Sequence, residues 1–175
     1  MPKHIVLTLT GRDKVGIVEN VTSVIAKRDG NVESSRMARL GGEFAMLMLI
    51  ALRDKEFANL DQDFQQLRRD GYQVSILQTE DDSQKYAGWL PYEIEVTGAD
   101  HEGIIHDISH HLAVQGINIE SMDTSSTPAP MSGTPLFMMK GVVLVPPKLN
   151  FHVWSDALED IGDKLNVNVK VGIVK

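Results

Sequence analysis

Two short runs hold most of the residues whose types and spacing suggest chemistry. In the first, Asp13 stands three residues before Gly16 and Ile17, and Asn31 follows. In the second, Asp100 precedes Gly103 and Ile104, and Asn118 follows. Read together, these residues suit a small zwitterion. A glycine that opens a helix exposes free backbone N–H groups and the positive end of the helix dipole, both of which favour a carboxylate. Lacking a side chain, it also lets a ligand approach closely. The aspartate can accept from an ammonium. The asparagine, opening the next strand beside that helix end, can supply both a donor and an acceptor. The same residues also have a plain structural reading, with Asp as a cap or turn former, Gly as a tight turn and Asn as a strand entry.

Other chemistries find less support. His106 and His110 are spaced i, i+4 on an expected helix, a metal-compatible interval, with His101 and His111 nearby. Ile104, Ile108 and Leu112 claim the buried face of that helix, and no third ligand is suitably spaced, so no metal site is expected. Ser34, Ser35 and Ser121 lack a nucleophile-elbow context. Gly41-Gly42 reads as a hairpin turn rather than a phosphate loop. The chain has no cysteine, which excludes disulfides, thiol nucleophiles and cysteine-ligated clusters. No catalytic constellation emerges, so a non-enzymatic protein without a cofactor is expected.

Charge argues against another class. Seventeen Lys and Arg residues face 24 Asp and Glu, a net charge of −7, and Arg36 and Arg39 fall on opposite faces of a strand. Without a basic footprint, direct nucleic-acid binding is not expected. The longest apolar run, Phe44 to Leu52, has nine residues, short of the ~20 needed to span a membrane as a helix. A cytoplasmic protein is the expectation.

The chain repeats itself. Val6–Ser35 aligns without gaps on Glu93–Met122, with nine of thirty positions identical, among them Thr10/Thr97, Gly11/Gly98, Asp13/Asp100, Gly16/Gly103, Asn31/Asn118 and Glu33/Glu120. Phe44 matches Phe137, so the second copy carries a six-residue insertion, expected as a loop over Ser125–Thr134. Each copy reads as strand, helix, strand, strand, helix, strand. In the first copy these are Ile5–Thr10, a helix carrying Ile17, Val21 and Ile25 and ended by Gly30, Asn31–Leu40, Glu43–Leu52, one helix carrying Phe57, Leu60, Phe64 and Leu67, and Tyr72–Thr79. The expected fold class is α+β: two ferredoxin-like βαββαβ domains, antiparallel sheets with both helices on one face. The domains are expected at 1–82 and 91–175, with a polar linker at 83–90. The other sheet face must be covered by the second domain or a second chain. Residues 1–85 carry a net charge of −1 and residues 86–175 a net charge of −6, so the copies have diverged in surface.

Thr-Gly-Arg-Asp-Lys-Val-Gly-Ile followed by Asp-Gly-Asn-Val-Glu-Ser-Ser resembles an ACT domain, and the second copy resembles another. Tandem ACT domains over nearly the whole chain are similar to the glycine cleavage system transcriptional repressor family, and Pro128-Ala129-Pro130-Met131-Ser132-Gly133-Thr134-Pro135-Leu136-Phe137 strengthens the likeness. The resemblance implies sensing of a small amino acid, glycine or serine, at ACT–ACT interfaces of a homo-oligomer. It also implies regulation through a protein partner such as a transcriptional activator. Ligand-binding residues carried over are Asp13, Gly16, Ile17, Asn31, Asp100, Gly103, Ile104 and Asn118. The first of these positions is often Asn in the family, and this chain has Asp there twice. The alternative is a ligand-free interaction scaffold that has kept the fold. Purified protein is expected to give no salt-sensitive, sequence-specific DNA gel shift; such a shift would overturn the charge argument.

Overall fold

The computed structural model describes residues 2–79, 84–130 and 132–174. The expected linker therefore lies partly outside the described residues. The chain divides into two compact units, Met1–Asp82 and Ser83–Lys175. The first holds β1 (Pro2–Arg12), α1 (Ile17–Lys27), β2 (Asn31–Leu40), β3 (Glu43–Arg53), α2 (Asp54–Asp63), α3 (Gln65–Arg69) and β4 (Gln73–Thr79). The second holds β5 (Leu90–Ala99), α4 (Ile104–Val114), β6 (Asn118–Pro128), β7 (Pro135–Val145), α5 (Phe151–Lys164) and β8 (Val167–Ile173). The sheets have the orders β2-β3-β1-β4 and β6-β7-β5-β8, with every neighbouring pair antiparallel. This is the ferredoxin-like α+β topology in both units.

Strand alternation sets the core. Ile5, Leu7 and Leu9 of β1 and Met46, Met48, Ile50 and Leu52 of β3 are buried against Ile17, Val21 and Ile25 of α1 and Leu60, Phe64 and Leu67 of the second helical segment. The second core repeats the plan with Ile94, Val96, Met139 and Val143 against Ile104, Ile108, Leu112, Trp154 and Leu158. Arg28, just past α1, bonds Asp63 at 2.7 Å and Glu56 at 3.3 Å and so ties α1 to α2. The hydrogen bond from Arg28 holds the Asp63 carboxyl below its ordinary range.

Three local expectations are corrected. The stripe Phe57, Leu60, Phe64, Leu67 lies on two helices, because the backbone at Phe64 has ψ 0° and interrupts the ladder while its ring stays fully buried. Gly30 is not the left-handed residue after α1. Asp29 takes that position at φ 52°, in register with Gly116 at φ 70° in the second copy. Gly30 is needed for space, since a Cβ there would lie 2.6 Å from Leu52 and 2.8 Å from Ile25. Finally, Ser125–Pro128 is not loop but the end of β6, paired with Leu136–Met138 and Pro135 of β7. Ser and Thr extend the ladder readily, and Pro128 is tolerated at the end of an edge strand.

The Asn-x-Glu-Ser signature has a structural origin. In both copies the register slips at its glutamate, between Val32 and Ser34 and between Ile119 and Ser121. Glu33 and Glu120 are therefore the extra residues of matching β-bulges in the edge strands. Phe64→Ala is expected to cost about 3–5 kcal/mol, as for other fully buried aromatics, measured by denaturant unfolding. A cost below about 1 kcal/mol would show that the core re-closes around the helix break.

Candidate functional site

The β1–α1 and β5–α4 loops are built alike. Each begins with a strand-end glycine that serves packing: a Cβ on Gly11 would lie 2.5 Å from the Tyr72 ring, and one on Gly98 would lie 2.8 Å from Val167. Tyr72 then donates its hydroxyl to the Arg12 carbonyl at 3.0 Å. The loop backbone is tied to the neighbouring hairpin, by Asp13 N–H to the Gly42 carbonyl at 3.2 Å and by Asp100 N–H to the Pro135 carbonyl at 2.9 Å. Gly16 and Gly103 follow in the left-handed conformation, at φ 89° and 95°. A side chain there would meet nothing within 4 Å, so open space lies over both helix starts. Neither helix has a side-chain cap. Asp13 and Asp100 therefore do not serve as helix caps; at the start of α1 the Ile17 N–H donates to the Lys14 carbonyl at 3.2 Å, and the N–H groups after it have no side-chain cap.

Ile17 and Ile104 are core residues, 4% and 1% exposed, and can offer a ligand only their backbone. The Asp13 carboxylate faces Arg39, with Oδ2 and Nε 3.8 Å apart and both side chains partly open to solvent. Arg39 was missed because strand alternation separates it from Arg36 and says nothing of what lies beyond the strand end. The second unit has Ser126 at the matching position.

The structure does not bring Asn31 to this loop within one unit. Asn31 pairs across Ala51 with His4 at one end of the sheet, whereas Arg39 pairs across Phe44 with Gly11 at the other. Eight residues of strand separate them, roughly 25 Å at ~3.3 Å per residue. Asn31 follows the C-terminal end of α1, not its start. It is exposed, and among the described residues its carboxamide meets no partner. Asn118 differs, because the Tyr86 hydroxyl donates to its Oδ1 at 3.1 Å. Tyr86 belongs to the turn before β5.

The histidines stand apart from both loops, with one exception. His106 and His110 stack with ring centroids 6.0 Å apart, and among the described residues no group of three or more His, Asp or Glu side chains is placed to hold a metal. His101 is the exception. Its Nε2 lies 2.7 Å from the Leu165 carbonyl at the end of α5, and its Nδ1 lies 2.9 Å from the Glu102 carbonyl. Both contacts are satisfied only by the imidazolium, which donates from both nitrogens. The Glu102 and Leu165 carbonyls, in that order, and then Asp100, raise its pKa above 6.5.

A family model for the ACT domain matches residues 3–76, the first unit. The first unit is an ACT domain. A solved structure of an unknown protein from Galdieria sulphuraria is 31% identical, with a TM-score of 0.83 over 100% of both chains, and thus spans both units. A candidate glycine cleavage system transcriptional repressor of known structure shares the fold, with a TM-score of 0.72 at 20% identity over 100% of this chain and 99% of that one. The glycine cleavage system transcriptional repressor of Escherichia coli K12 is 40% identical over 48 residues, 27% of this chain and 25% of the repressor. The match thus spans about a quarter of that relative's length. Among the described residues no helix is long and apolar enough to cross a membrane.

A histidine whose folded pKa is raised adds stability that is fully present below its unfolded value and is lost as pH rises through the folded one. The melting-temperature advantage of the wild type over His101→Ala is therefore expected to be largest near about pH 5 and to vanish by about pH 9. A difference that does not change with pH would remove the imidazolium from the account.

Proposed function

We propose that this ACT protein is a non-catalytic regulator that senses a small amino acid at the β1–α1 loop of its first unit and passes that state to a protein partner. The observation that carries the reading is the Asp13–Arg39 pair beside an uncapped helix start behind a left-handed glycine. Opposite charges 3.8 Å apart, without a hydrogen bond between them, match the two ends of a zwitterion. The ammonium goes to Asp13, and the carboxylate goes to Arg39 and the N–H groups at the start of α1. Glycine or serine is the ligand that the family resemblance implies. The repressor relative supports transcription of a glycine cleavage system as the regulated output; an activator as the partner is what the family resemblance implies.

Two differences favour the first unit. The second lacks a counterpart of Arg39, and its Asn118 is already engaged by Tyr86. The far end of β2 contributes through a second copy of the chain. Antiparallel pairing of two β2 edges centred on Ser35 brings Asn31 of one copy level with Arg39 of the other, completing the site with a carboxamide. An unpaired edge strand is a ready template for such pairing.

The second reading is a ligand-free scaffold. It is favoured by the same pair, since Arg39 already partners Asp13. A thermal-shift screen of the twenty amino acids separates the two. A ligand at 100 times its Kd stabilises the folded state by about 2.7 kcal/mol. Asp13→Ala is expected to weaken binding about 10- to 150-fold, the ~1.5–3 kcal/mol of a charged hydrogen bond, while Asp100→Ala leaves calorimetric affinity unchanged. No shift with any amino acid would favour the scaffold.

A further inference from the structure

Each sheet turns one face to its helices and the other away from them, and the two outward faces are chemically opposite. In the second unit the strand register places Asp123, Lys140, Glu95 and Lys170 in one row across β6, β7, β5 and β8, alternating in sign. Lys140 bridges Glu95 at 3.2 Å. With Glu93 and Ser121 these residues line a shallow concavity of about 360 Å³ floored by Val142 and Gly172. Such a face is stable in water.

The matching face of the first unit is not. Its corresponding row is Arg36, Leu47, Thr8 and Ser75, and the next row is Ser34, Leu49, Val6 and Leu77. Leu47 is 46% exposed and Leu77 63%. Val6 stands where the second unit has Glu93, Thr8 where it has Glu95, and Leu47 where it has Lys140. The fold therefore accepts charge at these positions, and the first unit keeps them uncharged for a reason other than folding.

We infer that the outward face of the first sheet is an interface that takes the same face of a second copy of this chain. Charge selects this occupant. Five ionised side chains on the second unit's face would have to be stripped of water against apolar partners, which is unfavourable, whereas a second copy of the first face brings Arg36 at one rim and His4 beside Glu33 at the end of the sheet, away from the row of Leu47 and Thr8. Net charge agrees, since the half carrying the apolar face sums to −1 and the other half to −6. Shape agrees as well. Leu47, Leu49 and Leu77 stand as knobs, with Thr8, Ala45, Ala51 and Ser75 as hollows, so a two-fold copy can interdigitate at the ~10 Å spacing of packed sheets. Four strands ~4.8 Å apart and roughly 30 Å long present about 600 Å² in projection. The pleated accessible area is larger and approaches the ~800 Å² per partner of a stable interface.

This interface is separate from the β2-edge pairing proposed above, and the test tells them apart. The double variant Thr8→Glu/Leu47→Lys transplants the Glu95–Lys140 pair into the first sheet. By light scattering and sedimentation, wild type is expected to be dimeric or larger. The variant is expected to lose the assembly step made through this face while keeping its circular dichroism. Should the variant fail to fold, the cysteine-free background supplies the second measurement. Thr8→Cys is expected to cross-link between chains with a short bis-maleimide, and Glu95→Cys is not. A wild type that is monomeric at all concentrations overturns the inference, whatever else then covers the face. So does an oligomer that the double variant leaves intact and that Thr8→Cys does not cross-link, a result that would leave the edge pairing and the amino-acid site standing.

Discussion

One-sided packing governs this molecule. In each unit both helical layers lie on the same face of a four-stranded antiparallel sheet, because strands alternate and only one set of side chains is apolar enough to be buried beneath them. α1 and α4 each start at a sheet end behind a sharp reversal that a left-handed glycine makes cheaply, without a side-chain cap. The same layering leaves the far face of the sheet to be solvated or covered by something else. The candidate ligand loop and the apolar outward face both belong to the same layer arrangement.

Duplication supplies an internal comparison. Positions identical in the two copies serve mainly the fold. Gly11 and Gly98 admit a neighbouring side chain, Gly16 and Gly103 make the turn, Ile17 and Ile104 enter the core, and Glu33 and Glu120 form bulges. Positions that differ hold the contrasts between the units. Arg39 meets Asp13 where the second copy has Ser126. Tyr86 meets Asn118 where Asn31 stands open. A row of alternating charge replaces an apolar row on the outward face. Identity between copies thus marks geometry, and divergence marks the surfaces available for separate roles.

Element types, their order and the buried face of each were legible in the residues, since helical and strand periodicities are local properties of spacing. The period of the repeat then made the two-unit ferredoxin-like plan readable with no contact known. Local details failed where two local signals competed. Gly30 looked like the helix stop because glycine is the usual left-handed residue, yet Asp29 takes that conformation and Gly30 is there because Leu52 and Ile25 crowd it. Ser125–Pro128 has loop composition, but β7 offered it a partner strand.

The candidate site shows the larger divide. Asp13, Gly16 and their copies were visible as a motif because they are neighbours in the chain. Arg39 was not, because its approach to Asp13 depends on where β2 ends relative to β1 across an intervening strand. The roughly 25 Å between Asn31 and that loop was hidden for the same reason. Spacing along the chain settles which face a residue occupies. Only strand order and register, which are long-range pairings, settle which end of the sheet it reaches and what it meets there.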